Sequence, residues 1–145
     1  MFSAKPTVEA VHSLFELRMI IEPAAAALAA ERRSAEQLLA IGSAYKDMAA
    51  HGYRSDEGQR ADALFHELIL RATGNEFLAG LTESIATAVR WTTILKTSAS
   101  KAPRDSIPLH LDVYRAIADR NPDQARSATT VLLEIARDET EAVLS

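Results

Sequence analysis

Apolar residues recur along this chain every three or four positions, the spacing that places them on one face of an α-helix. The pattern predicts six helices, over about 8–33, 34–51, 56–72, 76–97, 108–120 and 122–144. A strand would alternate apolar and polar residues, and no segment of the chain does so. We therefore predict an all-α fold with one domain over residues 8–145, preceded by a short linker at residues 1–7.

Several residues mark where these helices begin and end. Ser34 and Gln37 form a capping-box pattern, which predicts a helix start. Gly74-Asn75 predicts a stop after the third helix, and Asn75 is also suited to cap the fourth. Pro23 lies inside the first helix and predicts a kink or a break near Ile21-Glu22. Residues 98–104 are predicted to form a loop.

The composition excludes several classes of protein. The chain has 145 residues, 48% of them apolar, which is enough to bury a core. The absence of cysteine excludes disulfides, zinc fingers and thiol catalysis. A formal charge of −4 with scattered basic residues argues against nucleic-acid binding by this chain. No apolar run is long enough to cross a bilayer and no signal peptide is evident, so we expect a soluble, cytoplasmic protein without membrane contacts.

The third predicted helix carries the clearest candidate chemistry. Asp62 and His66 are four residues apart, so both side chains lie on one face of that helix, beside an apolar stripe. Both side chains can bind a divalent metal. The alternative is a plain hydrogen-bonded pair without a metal, because a polar pair on a core-facing stripe needs a partner of some kind.

Two arginines are candidates for binding an acidic ligand. Arg18 is four residues from Glu22 and either forms a structural ion pair with it or presents its guanidinium to a ligand carboxylate. Arg90, in the fourth predicted helix, is a second candidate, with a solvated position as the alternative. His12 and His51 are expected to be solvated.

Three groups of residues, taken in order, resemble a known family. The groups are Leu17-Arg18-x-x-Ile21-Glu22-Pro23; Asp62-x-x-Phe65-His66 followed by Gly74-Asn75; and His110-x-x-Val113-x-x-Ala116-Ile117 followed by Asn121-Pro122-Asp123-x-Ala125. Together they resemble the effector-binding C-terminal domain of FadR-like regulators in the GntR family. The similarity extends over about residues 8–144.

The resemblance implies a fold and a site. The fold is an antiparallel bundle of six to seven helices around a central ligand cavity. In many family members the cavity holds a divalent metal of the Zn, Ni or Mn class on one aspartate and three histidines. By position, the matching ligands here are Asp62, His66 and His110. The position of the last histidine is taken by Leu132, so the implied set has three ligands, and some members bind no metal at all.

The resemblance also implies the function. We expect a ligand-sensing domain that binds a small carboxylate metabolite through Arg18 and Arg90, forms a homodimer, and contacts DNA only through a winged-helix domain that is absent from this chain. It is not expected to be an enzyme. Two alternatives remain: a small metalloenzyme with a two-histidine, one-carboxylate site, which lacks an evident general base or nucleophile, and an interaction module with a vestigial cavity.

Overall fold

The computed structural model describes residues 7–99 and 105–144, and over these residues every element is an α-helix. The helices are α1 (Val8–Arg32), α2 (Ala35–His51), α3 (Asp56–Arg71), α4 (Glu76–Ala79), α5 (Thr82–Ala99), α6 (Ile107–Ala118) and α7 (Pro122–Leu144). The prediction of an all-α bundle of six to seven helices is confirmed. The predicted linker, apart from Thr7, and most of the predicted loop over 98–104 lie outside the described residues.

The helix starts are fixed by the caps that the sequence predicts. The Ser34 hydroxyl accepts a hydrogen bond from the Gln37 backbone N–H, and the Gln37 side chain accepts one from the Ser34 N–H, so the capping box is complete. The Asn75 side chain accepts hydrogen bonds from the backbone N–H groups of Phe77 and Leu78. These contacts satisfy donors that have no partner within the helix.

Helix α1 runs through Pro23 without interruption, so of the predicted kink or break near Ile21-Glu22 the break is wrong. Pro23 lacks the N–H that would continue the hydrogen-bond ladder. Tertiary packing offsets that loss, because the turns that follow are almost completely buried against the rest of the bundle. Ala25 and Ala26, for example, expose none of their surface.

The predicted fourth helix is divided into α4 and α5. Gly80 and Leu81 form a turn that interrupts the helix, although Gly80 keeps αR dihedral angles, and α4 has only four residues. Glycine costs about 1 kcal/mol relative to alanine inside a helix, so Gly80 is the natural place for the division. The apolar periodicity continues across this point, so it did not indicate that the helix is divided there.

Helix α3 lies at the centre of the arrangement and packs against α1, α2, α4 and α5, while α7 packs against α1, α5 and α6. The main apolar core is built from residues of α1, α2, α3, α5, α6 and α7. Within the described residues, no helix combines the length and the apolarity needed to cross a bilayer.

Candidate metal and ligand site

Asp62, His66 and His110 meet inside the bundle, as the sequence predicts. Asp62 and His66 point from one face of α3, and His110 points towards them from α6. The Asp62 Oδ1 atom lies 3.0 Å from His110 Nε2 and 3.2 Å from His66 Nε2, and the two Nε2 atoms are 3.2 Å apart. All three residues are buried. One oxygen and two nitrogens therefore converge on a single point.

Neighbouring groups fix the orientation of each ligand. The His110 Nδ1–H donates a hydrogen bond of 2.8 Å to the Ser106 carbonyl, which leaves Nε2 directed at the cluster. The Thr93 hydroxyl donates to Asp62 Oδ2 at 3.2 Å, which leaves Oδ1 for the cluster. His66 Nδ1 contacts a carboxylate oxygen of Glu22. Histidines that bind metals are usually held in this way, through the ring nitrogen that is not a ligand.

Glu22 belongs to a buried chain of charged groups. One of its oxygens contacts His66, and the other accepts a 2.7 Å hydrogen bond from Arg18 Nε. Burial alone would raise the pKa of Glu22, but the charges of Arg18 and His66 outweigh it and lower the pKa to about 2. Burial would likewise lower the pKa of His66, but Glu22 and Asp62 raise it to about 9. Arg18 also donates to the Thr92 hydroxyl at 2.9 Å.

The electrostatics of the cluster require positive charge at its centre. When His110 donates from Nδ1 and is neutral, its Nε2 presents a lone pair, as does Asp62 Oδ1. Burial disfavours the ionised form of Asp62, yet His110 and His66 hold the pKa of its carboxyl well below the usual range. The proton that His66 carries can satisfy one of these lone pairs, and one divalent cation would satisfy both.

The spacing of the three ligand atoms fits a metal ion. Metal–nitrogen and metal–oxygen bonds of about 2.0–2.2 Å place neighbouring ligand atoms about 2.8–3.6 Å apart in octahedral or tetrahedral geometry. The three distances of 3.0–3.2 Å fall within that range. Within the described part of the chain, Asp62, His66 and His110 are the side chains whose ligand atoms lie close enough together to share one metal ion. The residues present fit a divalent metal.

Two small cavities lie beside the ligands, and the described residues do not form the central ligand cavity that the family resemblance implies. A cavity of about 20 Å³ touches the three ligands and Arg18, Thr93, Lys96, Ser106, Leu132 and Ala136. A second cavity of about 10 Å³ lies on the other side of His66 and Leu132 and reaches the Thr129 hydroxyl. Among the described residues, Thr129 Oγ1 is the buried side-chain atom without a hydrogen-bond partner. Each cavity has room for about one water or ion.

The other predicted residues divide into those at the site and those outside it. Arg18 lines the larger cavity, but its guanidinium is held by Glu22 and Thr92, as in the structural-pair alternative. Arg90 is not among the residues that line either cavity and lies 3.5 Å from Asp56 in a partly exposed ion pair, so the structure does not bring it to the site. His12 and His51 are exposed. Leu132 contacts both cavities, as its matched position implies.

The sequence did not reveal three further groups at the site. Glu22 was considered only as a partner of Arg18, and its contact with His66 joins residues 44 positions apart. Thr93 and Lys96 also line the cavity. A signal for Lys96 was present, because it follows Thr92 by four positions and Thr93 by three and therefore shares their inward face on α5.

Comparison with known families identifies the fold. The FCD domain model matches residues 13–134. The chain belongs to the FCD domain family. The resemblance to the effector-binding domains of GntR-family regulators is thereby confirmed. A solved structure named Streptococcus agalactiae GntR has the same fold as this FCD domain, with a TM-score of 0.77 at 24% identity, over 94% of this chain and 62% of that one.

Two curated relatives are similar in sequence to this FCD domain. The HTH-type transcriptional regulator LutR of Bacillus subtilis is 30% identical over 83% of this chain and 57% of its own length. The galactonate operon transcriptional repressor of Escherichia coli is 28% identical over 85% of this chain and 54% of its own length. This FCD domain thus spans about half the length of these relatives. Both are named as regulators rather than enzymes, which supports the prediction that the domain is regulatory.

Proposed function

We propose that this FCD domain senses a small organic acid and that a divalent metal on Asp62, His66 and His110 takes part in binding it. The observation that carries the proposal is the convergence of three ligand atoms, each oriented by a neighbouring group, in a buried cavity. A hydrogen-bonded cluster would have similar distances, and metal analysis separates the two cases, because only the metal site loses a bound ion when His66 is replaced.

The charges around the cavity favour an anion as the ligand. Its wall carries the cations Arg18 and Lys96 and the two imidazoles, against the single carboxylate of Asp62. A divalent ion would add positive charge and offer a carboxylate oxygen a position for coordination. Glu22 and Ser106 hold the imidazoles in place, so the chain's own contribution is to orient the ligands before an acid arrives.

Leu132 limits how the metal would be held. With three ligands instead of four, an ion keeps open positions, which suits the binding of a carboxylate and weakens the ion's own affinity. Leu132 lies directly on the wall, where a fourth ligand would enter. The site therefore favours exchange of small ligands over permanent structural binding of the metal.

The small size of the cavity links binding to movement. A space of about 20 Å³ accepts an ion or a water but not an organic acid. An acid can enter only if the helices that carry the ligands separate, so it binds an altered arrangement of α3, α5 and α6 and shifts the population towards it. In a longer protein with a winged-helix domain, that shift would change DNA binding. In a homodimer, which the resemblance predicts, the change in helix arrangement would be transmitted to both subunits.

A ligand screen tests this function. The melting temperature of zinc-loaded and chelator-treated protein would be measured with a panel of small carboxylic acids and their amides. We expect at least one acid to raise the melting temperature of the zinc-loaded protein by mass action, more than its amide does. No shift with any acid in either form would contradict the sensor function and favour the interaction module. Chemical conversion of an acid would favour the metalloenzyme.

A further inference from the structure

Two buried cations line the same cavity, and they differ in whether they have partners. Arg18 is 4% exposed, and its guanidinium is already engaged by the Glu22 carboxylate and the Thr92 hydroxyl. Lys96 is 5% exposed, and its ammonium, which is not completely closed off from solvent, forms no hydrogen bond or ion pair with the residues described by the structure. Burying a charge is costly unless it is paired. Lys96 is therefore the cation that a ligand can still satisfy.

The surroundings of Lys96 hold its ammonium at the cavity without neutralising it. Its Nζ atom lies 5.7 Å from the centre of the Tyr53 ring, a cation–π contact that leaves the ammonium hydrogens available. Burial lowers the pKa of Lys96, whereas the carboxylates of Glu139 and Asp62 act in the opposite direction. Arg18 and Asp105 are the other charged groups that act on it.

We propose that Lys96 is the residue that binds the carboxylate of the acid, with the ammonium on one side of that carboxylate and the metal on the other. This proposal rests on the proposed function. The sequence predicts that Arg18 binds the carboxylate, and the proposal gives that role to Lys96 instead. Arg18 could bind the acid only by giving up Glu22, which would also release His66. Lys96 has no such contact to lose.

The assignment predicts a stronger selectivity than a metal alone would give. An open coordination position accepts neutral ligands such as imidazole as well as anions. An ammonium on the same cavity wall strengthens binding only when the ligand carries a negative charge. The site is thus expected to prefer carboxylates to neutral metal ligands of similar size.

The experiment uses Co²⁺-substituted protein, whose visible absorption reports ligands that enter the coordination shell. Acetate is titrated as the anionic probe and imidazole as the neutral one, with the wild type, Lys96→Gln, Lys96→Met, Lys96→Arg and the exposed control Lys46→Gln. In Lys96→Gln and Lys96→Met we expect acetate to bind roughly ten- to a hundredfold more weakly, since a hydrogen bond to a charged group is lost. Imidazole binding should stay the same. Lys96→Arg should recover part of the acetate affinity, and Lys46→Gln should match the wild type.

Each result decides the role of Lys96. Equal acetate affinity in the wild type, Lys96→Gln and Lys96→Met would overturn the assignment while leaving the metal site intact. A parallel loss of imidazole binding would overturn it too, because the change would then reflect a damaged metal site. If no protein binds Co²⁺, the metal part of the proposed function fails, and acetate is titrated into metal-free protein by NMR. Shifts in the wild type that are lost in Lys96→Gln would then support Lys96 as the anion site, and no shifts in the wild type would overturn it.

Discussion

Helix α3 contributes to two buried regions that are built in opposite ways. Towards α2, its residues join an apolar core that includes Ile41, Met48 and Ile69. Towards α5 and α6, Asp62 and His66 join a polar network that extends through Glu22 to Arg18. Both regions are buried. The apolar core is stabilised by buried apolar surface and close packing, whereas the polar network is stabilised by specific hydrogen bonds and ion pairs.

The difference determines how each region responds to change. A residue of the apolar core contributes through its own buried surface and the cavity that its removal leaves. A group of the polar network holds its neighbours in a charge state as well, so its removal leaves other buried charges without partners. Substitutions in the polar network should therefore affect stability and ligand binding together, whereas those in the apolar core should affect stability alone.

The largest effect is expected for Glu22→Gln. This change leaves Arg18 and His66 buried without a carboxylate, because glutamine keeps only one acceptor oxygen and no charge for the two of them. We expect a loss of about 3–5 kcal/mol in the free energy of unfolding, measured by urea titration, and zinc affinity about ten- to a hundredfold lower, measured by calorimetry. Arg60→Gln, which breaks an exposed ion pair with Asp56, is the control and should cost about 0.5 kcal/mol or less. Equal costs for the two variants would contradict the network.

In the apolar region, Ile41→Ala should cost about 2–5 kcal/mol, because Ile41 is completely buried in the core. Zinc affinity should not change, since Ile41 lines neither cavity at the site. Urea titration and calorimetry on the same protein give both values. A change in zinc affinity as large as that of Glu22→Gln would remove the distinction between the two regions.

The free energy of unfolding of the metal-free protein should depend on pH, because charged groups of the polar network titrate. The pKa of His66 is raised from 6.5 to about 9, so its stabilising contribution is complete below pH 6.5 and is lost as the pH rises to 9. The contribution is roughly 3 kcal/mol. The pKa of Glu22 is lowered from 4.5 to about 2, so its contribution is complete above pH 4.5 and is lost as the pH falls to 2.

Urea titrations in the presence of chelator should therefore give a maximum between about pH 4.5 and 6.5. With zinc present, the free energy of unfolding should instead rise between pH 6.5 and 9. The metal would compete with a proton for His66, so its binding strengthens as the pH rises. In His66→Gln the decline between pH 6.5 and 9 should be reduced. The same decline in His66→Gln and in the wild type would show that another group causes it.

The smallest of these effects is expected for Leu132→His, which would add a third imidazole to the two already in the polar region. Leu132 contacts the cavity that the three ligands share, so an imidazole there can add a fourth ligand. We expect zinc affinity to rise about tenfold or more, which corresponds to about 1.4 kcal/mol. Val131→His, at the exposed neighbouring position, is the control. Unchanged affinity in Leu132→His would place the metal elsewhere or remove it.

The sequence predicts the helices of the apolar core more completely than the contacts of the polar network. Apolar spacing and caps such as Ser34 and Asn75 located most helices, because they depend on residues close together in the chain. Asp62, His66 and His110 were found through a motif and a family resemblance. The contact between Glu22 and His66 depends on how α1 and α3 pack, and spacing along one helix does not reveal it. The spacing of Lys96 from Thr92 and Thr93 indicates its inward side but not the cavity that it lines. Gly80 was missed because the apolar pattern continues past it.

The most direct test is the metal content of protein purified without chelator, measured by inductively coupled plasma mass spectrometry. The wild type and His51→Ala, which changes an exposed histidine, should each carry about one divalent ion per chain. His66→Ala should carry almost none, because two ligands remain in a buried site. Equal metal content in all three proteins, whether near zero or near one per chain, would contradict a metal centre at Asp62, His66 and His110.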